Sequence, residues 1–199
     1  MSYSSLLRDE LGSLPIKPLC CRRAYLYGLL YGCEIQGDHL SATFSVLKDG
    51  VYQPHEHAVS LAHALLSRNA EVTHFTRGAH RYATVSFESK NVARHFRRMA
   101  ELPTEEAECD SLPREMEFKC DNCSAHFLRG VTVACGTVND PARSYHLEIK
   151  LPSDGRVEPL QILMAEAGYE MGITARNGMS GLFCKSGGMI QEYLAYVGA

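Results

Sequence analysis

Two stretches of the chain, CRRAYLYGLLYGC at residues 21–33 and CSAHFLRGVTVAC at residues 123–135, repeat one pattern 102 residues apart. Each copy has a cysteine at both ends and a glycine in the middle, Gly28 in the first and Gly130 in the second. Both stretches are apolar and have the length of a helix. Glycine inside a helix costs about 1 kcal/mol relative to alanine. Its presence in both copies therefore predicts two helices that approach each other closely at these glycines.

The segments that follow the two copies also repeat. HLSATFSVL at 39–47 and SYHLEIKL at 144–151 alternate apolar and polar residues, which predicts strands with one buried face. A helical run comes next in each copy, at 57–70 and 156–168, then two short strands joined by a tight turn, then a closing helix. The predicted order is α-ββ-α-ββ-α, twice. The first strand of each unit, near residues 34–38 and 136–140, has no clear pattern of its own. It is inferred only because spare residues lie there between the central helix and the next strand.

The pattern divides the chain into four segments. Residues 1–19 are predicted to form a helical clasp over one domain, residues 20–102 the first repeat and residues 118–199 the second repeat. Residues 103–117 contain two prolines and are strongly acidic, without apolar periodicity, which is typical of a linker.

Composition and charge exclude several classes of protein. No apolar run reaches 18 residues, so we expect no membrane partner, and the first residues do not have the pattern of a signal peptide. Eight cysteines without such a signal predict reduced thiols and a cytoplasmic location. The formal charge of −3 divides into +3 for residues 1–102 and −6 for residues 103–199. This balance argues against strong nonspecific binding to nucleic acid.

Several of these segments resemble a known family. Two glycine-centred helices, each leading into ββ-α-ββ-α, resemble the single-chain LAGLIDADG homing endonucleases. More narrowly, CCRRAYLYGLLYG at 20–32, FLRGVTVACGTVNDPARSYHLEI at 127–149 and EYLAYVGA at 192–199 resemble the N-terminal domain of the WhiA family of bacterial sporulation and cell-division transcription regulators. The opening of the chain, SYSSLLRDELGSLPIKPLCC, resembles the opening of that family as well.

The resemblance implies an α+β fold shaped as a pseudo-twofold, duplicated saddle. Two central helices would pack against each other, and antiparallel sheets would form a concave face that straddles DNA. It also implies a nuclease-like domain that has lost catalysis, followed by a helix-turn-helix domain that we expect to be absent from these 199 residues. Whether the chain is an excised domain or a protein without that second domain stays open.

The positions that would bind a catalytic metal are degenerate. A LAGLIDADG nuclease holds Mg²⁺ with one carboxylate at the end of each central helix. When the motif is aligned on the two glycines, these positions hold Cys33 and Cys135. Glu34 lies one residue further on, but its equivalent is Gly136. A thiol is a poor ligand for a hard cation. We therefore predict that the chain has no catalytic residue, binds no cofactor and has no enzymatic activity. Packing across the pseudo-twofold axis is the simplest role for both cysteines, and an active endonuclease is the least favoured interpretation.

Four other cysteines raise the question of a metal. Cys120 and Cys123 have the C-x₂-C spacing of zinc ligands, and the matching position of the first copy holds Cys20 and Cys21. Adjacent cysteines rarely bind the same ion, so we expect buried or helix-capping thiols and no metal site. The two pairs do open paired helices, and four thiols could converge there.

The candidate DNA-binding residues are cations expected on or beside the concave sheet face: Lys48, Arg77, Arg81, Arg143, Lys150 and Arg176. Each could equally be an ordinary surface charge. We therefore predict a DNA-contacting module whose affinity is weak or depends on the absent C-terminal domain. The alternative is a scaffold that binds a regulatory protein and does not touch DNA, which the negative second half of the chain favours.

Overall fold

Both repeats fold in the order that the sequence predicts. A computed structural model of the chain describes residues 2–48, 50–101, 118–152, 155–176 and 178–199, so the linker predicted at 103–117 lies outside the described residues. A helix α1 (Tyr3–Ser13) comes first. The first repeat contains α2 (Leu19–Leu30), β1 (Glu34–Gln36), β2 (His39–Ser45), α3 (Pro54–Leu66), β3 (Glu71–Arg77), β4 (His80–Glu88) and α4 (Lys90–Glu101). The second contains α5 (Cys123–Cys135), β5 (Gly136–Val138), β6 (Leu147–Pro152), α6 (Val157–Glu166), β7 (Gly172–Arg176), β8 (Met179–Cys184) and α7 (Gly187–Val197).

Each repeat contributes one antiparallel sheet of four strands. The strand orders, β1-β2-β4-β3 and β5-β6-β8-β7, are equivalent in the two repeats. The short first strands, inferred only from leftover residues, are present and pair with β2 and β6. The predicted α+β fold with duplicated antiparallel sheets is confirmed.

One face of each sheet is covered by helices and the other is open. On β2, Leu40, Ala42 and Phe44 are buried, whereas the alternate residues point away from the core. Helices α3 and α4 pack behind the first sheet, and α6 packs behind the second. The alternation seen in the sequence therefore divides β2, β4 and β6 into a buried face and an open face of mainly polar side chains, whereas every residue of the edge strand β3 is exposed.

The central helices α2 and α5 cross at the two repeated glycines. A Cβ atom placed on Gly28 would lie 3.0 Å from the Cα atom of Gly130 and would collide with the backbone oxygen of Phe127. A Cβ atom on Gly130 would lie 2.8 Å from the backbone nitrogen of Leu29. Only glycine, whose side chain is a single hydrogen atom, allows the two backbones to come this close.

The two repeats differ at the ends of these helices. Helix α5 runs through Cys135, but α2 ends at Leu30, so Cys33 lies beyond the helix. The N–H group of Cys33 donates to the carbonyl oxygen of Leu30 at 2.9 Å, which is a tighter turn than that of an α-helix. The tight turn brings Gly32 against Cys135, whose Sγ atom would be 2.5 Å from a Cβ atom at Gly32.

Helix α1 contacts both repeats, not one as the sequence predicted. Ser4 donates its hydroxyl to the carbonyl of Val138 at 2.7 Å and accepts from the N–H group of the same residue at 2.9 Å. The carboxylate of Asp9 accepts from the N–H group of Tyr52 at 2.8 Å. A single helix therefore links the edge strand of one repeat to a loop of the other. Of the helices that the structure describes, none is both long enough and apolar enough to cross a membrane.

Candidate functional site

Two arginines lie at the degenerate metal positions, where α2 and α5 end. Arg156 donates to the carbonyl oxygen atoms of Tyr31 and Cys33, both at 2.6 Å, and its Nη1 atom is 3.9 Å from the Sγ atom of Cys33. Arg8 donates to the carbonyl oxygen of Gly136, also at 2.6 Å. Positive groups are favourable near helix C-termini because the unpaired carbonyls carry partial negative charge. A guanidinium group therefore lies at the C-terminal end of each central helix.

The chemistry of this centre does not suit a divalent metal ion. Burial raises the pKa of the Cys135 thiol to about 11, although Arg156 and Arg8 act in the opposite direction. The thiol is therefore neutral at neutral pH. Mg²⁺ is bound by oxygen ligands, usually water with one or two carboxylates. At Cys33 and Cys135 it would instead meet sulfur ligands beside two cations.

Sequence reasoning missed both arginines. Arg156 is only 1% exposed, and its guanidinium carbon lies 5.7 Å from the ring centre of Phe96 and 6.0 Å from that of Tyr31. The residue belongs to the second repeat but bonds to the first repeat at Cys33. No local pattern could distinguish it from a surface arginine, because its partners are distant in sequence.

The open face of the second sheet carries Lys150 and Lys185. Lys150 is exposed, and its Nζ atom lies 3.3 Å from a carboxylate oxygen of Glu148. Lys185 lies over the ring of Phe183, with its Nζ atom 5.7 Å from the ring centre. Glu148 and Phe183 face each other in the strand register, which places the four side chains on one surface. Lys185 was not among the predicted residues, although its spacing of two from Phe183 is the signal of a shared strand face.

The strand register of the first sheet separates two predicted DNA-binding residues. Arg77 is paired with His80 at the end of the hairpin, on the same face as the stacked rings of Phe75 and Tyr82, whose centres are 5.4 Å apart. Arg81 alternates with these residues along β4 and so points to the opposite face of the strand. Of the two arginines at this hairpin, Arg77 is the one on the open face.

Three carboxylates lie on the rest of the first sheet's open face, among uncharged polar side chains. Glu34, Glu71 and Glu88 are all exposed there, in register with Ser41, Ser86 and His39 respectively. The two open faces therefore differ in net charge, with Lys150 and Lys185 against Glu148 on the second sheet, and three carboxylates against Arg77 on the first.

The three remaining predicted cations lie at loops or strand ends. Lys48 and Arg143 are exposed in turns that follow β2 and β5, and Arg176 is the last residue of β7, paired with Met179. Most of the negative charge of the second half lies in the acidic segment before the second repeat. Residues 103–117 carry a formal −5, whereas residues 118–199 carry only −1.

The convergence of four cysteines, which the sequence left open, is observed in the structure. Cys20 and Cys21 are in the first turn of α2, Cys120 precedes α5, and Cys123 begins it. The Sγ atom of Cys120 lies 3.5 Å from those of Cys21 and Cys123 and 3.7 Å from that of Cys20. Hydrogen bonds from Cys21 and then Cys123 lower the pKa of Cys120, whereas burial raises the pKa of Cys21 and of Cys123. We name these four residues the cysteine cluster.

Comparison with known proteins identifies the type of domain. Residues 124–199 match the family model of the WhiA LAGLIDADG-like domain. A probable cell division protein WhiA of Carboxydothermus hydrogenoformans is 26% identical over 203 residues, covering 100% of this chain and 64% of the relative. The chain resembles the LAGLIDADG domain of WhiA. It spans less than two thirds of the length of the first WhiA proteins that it matches.

Solved structures show the same fold. The crystal structure of the N-terminal LAGLIDADG domain of DUF199/WhiA superposes with a TM-score of 0.71 at 19% identity, covering 100% of this chain and 91% of that one. The homing endonuclease I-DmoI, crystallised in complex with DNA and Mn, superposes with a TM-score of 0.52 at 16% identity, covering 92% of this chain and 99% of that one. The saddle fold of WhiA and of homing endonucleases is thus the fold of this chain.

Proposed function

We propose that the chain is the catalytically inactive, DNA-contacting module of a WhiA-like transcription regulator of the cytoplasm. The observation that carries this proposal is the pair of arginines at the helix ends of a LAGLIDADG fold. The cytoplasmic location is proposed from the sequence, which has eight cysteines and no signal-peptide pattern among its first residues.

The loss of catalysis follows from charge at the centre of the saddle. Cleavage of a phosphodiester by bound metal ions needs carboxylates that hold those ions against the scissile phosphate. Here the equivalent residues are Cys33 and Cys135, beside Arg156 and Arg8. The two guanidinium groups repel Mg²⁺ and are bonded to backbone carbonyls, and Arg156 is only 1% exposed, so they remove the metal site without themselves contacting DNA.

DNA contact is proposed through the open face of the second sheet. Lys150 and Lys185 are exposed on it, and Arg77 extends the set to the hairpin of the first sheet. Lysines of this kind bind phosphate and release counterions, so their affinity falls steeply with salt. Because the set is small, we expect weak binding that is detectable at low salt.

Fluorescence anisotropy with a labelled duplex tests this surface. Between about 50 and about 200 mM salt, the dissociation constant of the wild-type chain should rise steeply. The double variant Lys150→Glu/Lys185→Glu should bind at least about tenfold more weakly and show a salt slope smaller by about two. The matched control is Lys90→Glu/Arg94→Glu, the same charge change on exposed residues of α4, behind the first sheet. Equal loss in both variants would reject the open face as the contact surface.

A protein-interaction scaffold is the second candidate function. The three carboxylates on the open face of the first sheet favour it, because they would repel DNA across half of the saddle. Absence of any anisotropy change at low salt would support the scaffold and remove the DNA proposal for this chain.

A further inference from the structure

We propose that the cysteine cluster is a tetrathiolate site for one zinc ion that ties together the first turns of the two central helices. Cys20, Cys21, Cys120 and Cys123 each offer one sulfur atom, and all four sulfur atoms lie within 4.8 Å of one another. Two of the ligands come from each repeat. The site lies at the end of the helix pair opposite to Cys33 and Cys135.

The spacing of the sulfur atoms fits a single tetrahedral ion. A Zn–S distance of about 2.3 Å in a tetrahedron places neighbouring sulfur atoms about 3.8 Å apart. The three printed distances from Cys120 are 3.5, 3.5 and 3.7 Å. A disulfide would need two sulfur atoms only about 2.05 Å apart. The sulfur atoms of Cys20, Cys21 and Cys123 instead surround that of Cys120 at nearly equal distances.

The protein around the cluster suits zinc thiolate chemistry. Soft thiolate ligands in a tetrahedron select zinc over Mg²⁺ or Ca²⁺. Cys21 and Cys123 are completely buried, while Cys20 and Cys120 are half-buried, so the site is enclosed but has an entry path. Three of the ligands lie in the first turns of α2 and α5, where unpaired N–H groups stabilise negative charge. The adjacent residues Cys20 and Cys21 can both serve because their sulfur atoms lie 3.7 and 3.5 Å from that of Cys120, on the same side of the helix pair.

A four-cysteine zinc site is structural, because no coordination position remains open for substrate or water. A zinc ion here would connect the two repeats where α2 and α5 begin. The crossing at Gly28 and Gly130 connects them in the middle of the same helices. The ion would also anchor Cys120, three residues beyond the acidic segment that joins the repeats. The zinc ion would therefore fix the relative position of the two open sheet faces.

Metal analysis of the whole chain tests the site. The protein is purified under reducing conditions without added metal and is then dialysed. Inductively coupled plasma mass spectrometry should find about one zinc ion per chain. The double variant Cys120→Ser/Cys123→Ser should retain less than about a tenth of that amount. The control, Cys184→Ser, removes a buried cysteine outside the cluster and should leave the zinc content unchanged.

A second measurement does not depend on the folding of a variant. Wild-type chain freed of metal by a chelator and titrated with Co²⁺ should develop sulfur-to-cobalt absorption that saturates at about one equivalent and disappears when zinc is added. Metal-free protein that gives no such absorption would overturn the proposal. A visible iron spectrum in the purified protein, or disulfides among the four cysteines, would overturn the assignment to zinc.

Discussion

At the scale of single residues, burial and charge decide what the centre of the saddle can do. The exchange of carboxylates for Cys33 and Cys135 could be predicted from the alignment of the two glycines alone. The positions of Arg156 and Arg8 beside these cysteines could not be predicted, because each arginine bonds to backbone atoms more than 100 residues away in sequence. Aligning the two repeats thus shows which residues occupy equivalent positions. Contacts between residues that are distant in sequence are known only from the three-dimensional structure.

His95 gives a prediction at the same scale. It is 1% exposed and lies edge-on against Tyr27, and within the described structure neither ring nitrogen has a hydrogen-bond partner. Burial lowers its pKa from an ordinary value near 6.5 to about 4. The contribution of the neutral ring to the free energy of unfolding is therefore fully present above pH 6.5. The free energy of unfolding should fall as the pH drops from 6.5 to 4, by about 3 kcal/mol from this group.

Urea unfolding at a series of pH values checks this titration. His95→Gln should show a shallower fall in unfolding free energy between pH 6.5 and 4 than the wild-type chain. His63→Gln, a change of an exposed histidine, should follow the wild type. Identical pH profiles for His95→Gln and wild type would show that His95 is not buried in the neutral form.

At the scale of helices and strands, periodicity predicted the order of elements, and the structure differs mainly at their ends. The alternation predicted the buried residues inside β2 and β6, since a strand repeats every two residues. It was wrong at the strand ends: β2 ends at Ser45, where Leu47 rather than Val46 is buried, and Tyr145 lies before β6 and is exposed. Helix α3 begins at Pro54, before the predicted residue 57, because proline suits the first turn of a helix. The end of α2 at Leu30 could not be predicted, because Gly32 packs against Cys135 from the other repeat.

The crossing of α2 and α5 gives a prediction for a single methyl group. Gly28→Ala adds a residue of higher helix propensity, yet it should lower the free energy of unfolding by about 1–3 kcal/mol, because the new Cβ atom meets backbone that cannot rotate away. The control is Gly188→Ala in α7, where nothing lies within 4 Å of the new atom. That change should be neutral or stabilise by about 0.5–1 kcal/mol. Thermal and urea unfolding compare the two, and equal effects would contradict close packing at Gly28.

At the scale of the whole molecule, net charge was a poor guide to the candidate surface. The second half of the sequence is strongly negative, but nearly all of that charge belongs to residues 103–117. Its sheet presents Lys150 and Lys185, whereas the sheet of the more basic first half presents three carboxylates. The face to which each charge points depends on strand register, which composition does not contain.

The most direct test of an inactive, DNA-contacting saddle is one agarose gel of supercoiled plasmid incubated with the chain at low salt and Mg²⁺ or Mn²⁺. Half of each reaction is loaded as it is, and half is loaded after the protein is removed. The predicted result is retarded migration in the first half and intact supercoiled plasmid in the second, because Cys33 and Cys135 lie beside arginines where carboxylates would hold the metal. Metal-dependent nicked or linear plasmid after protein removal would contradict this, and its loss in Glu34→Gln would place the catalytic carboxylate at Glu34.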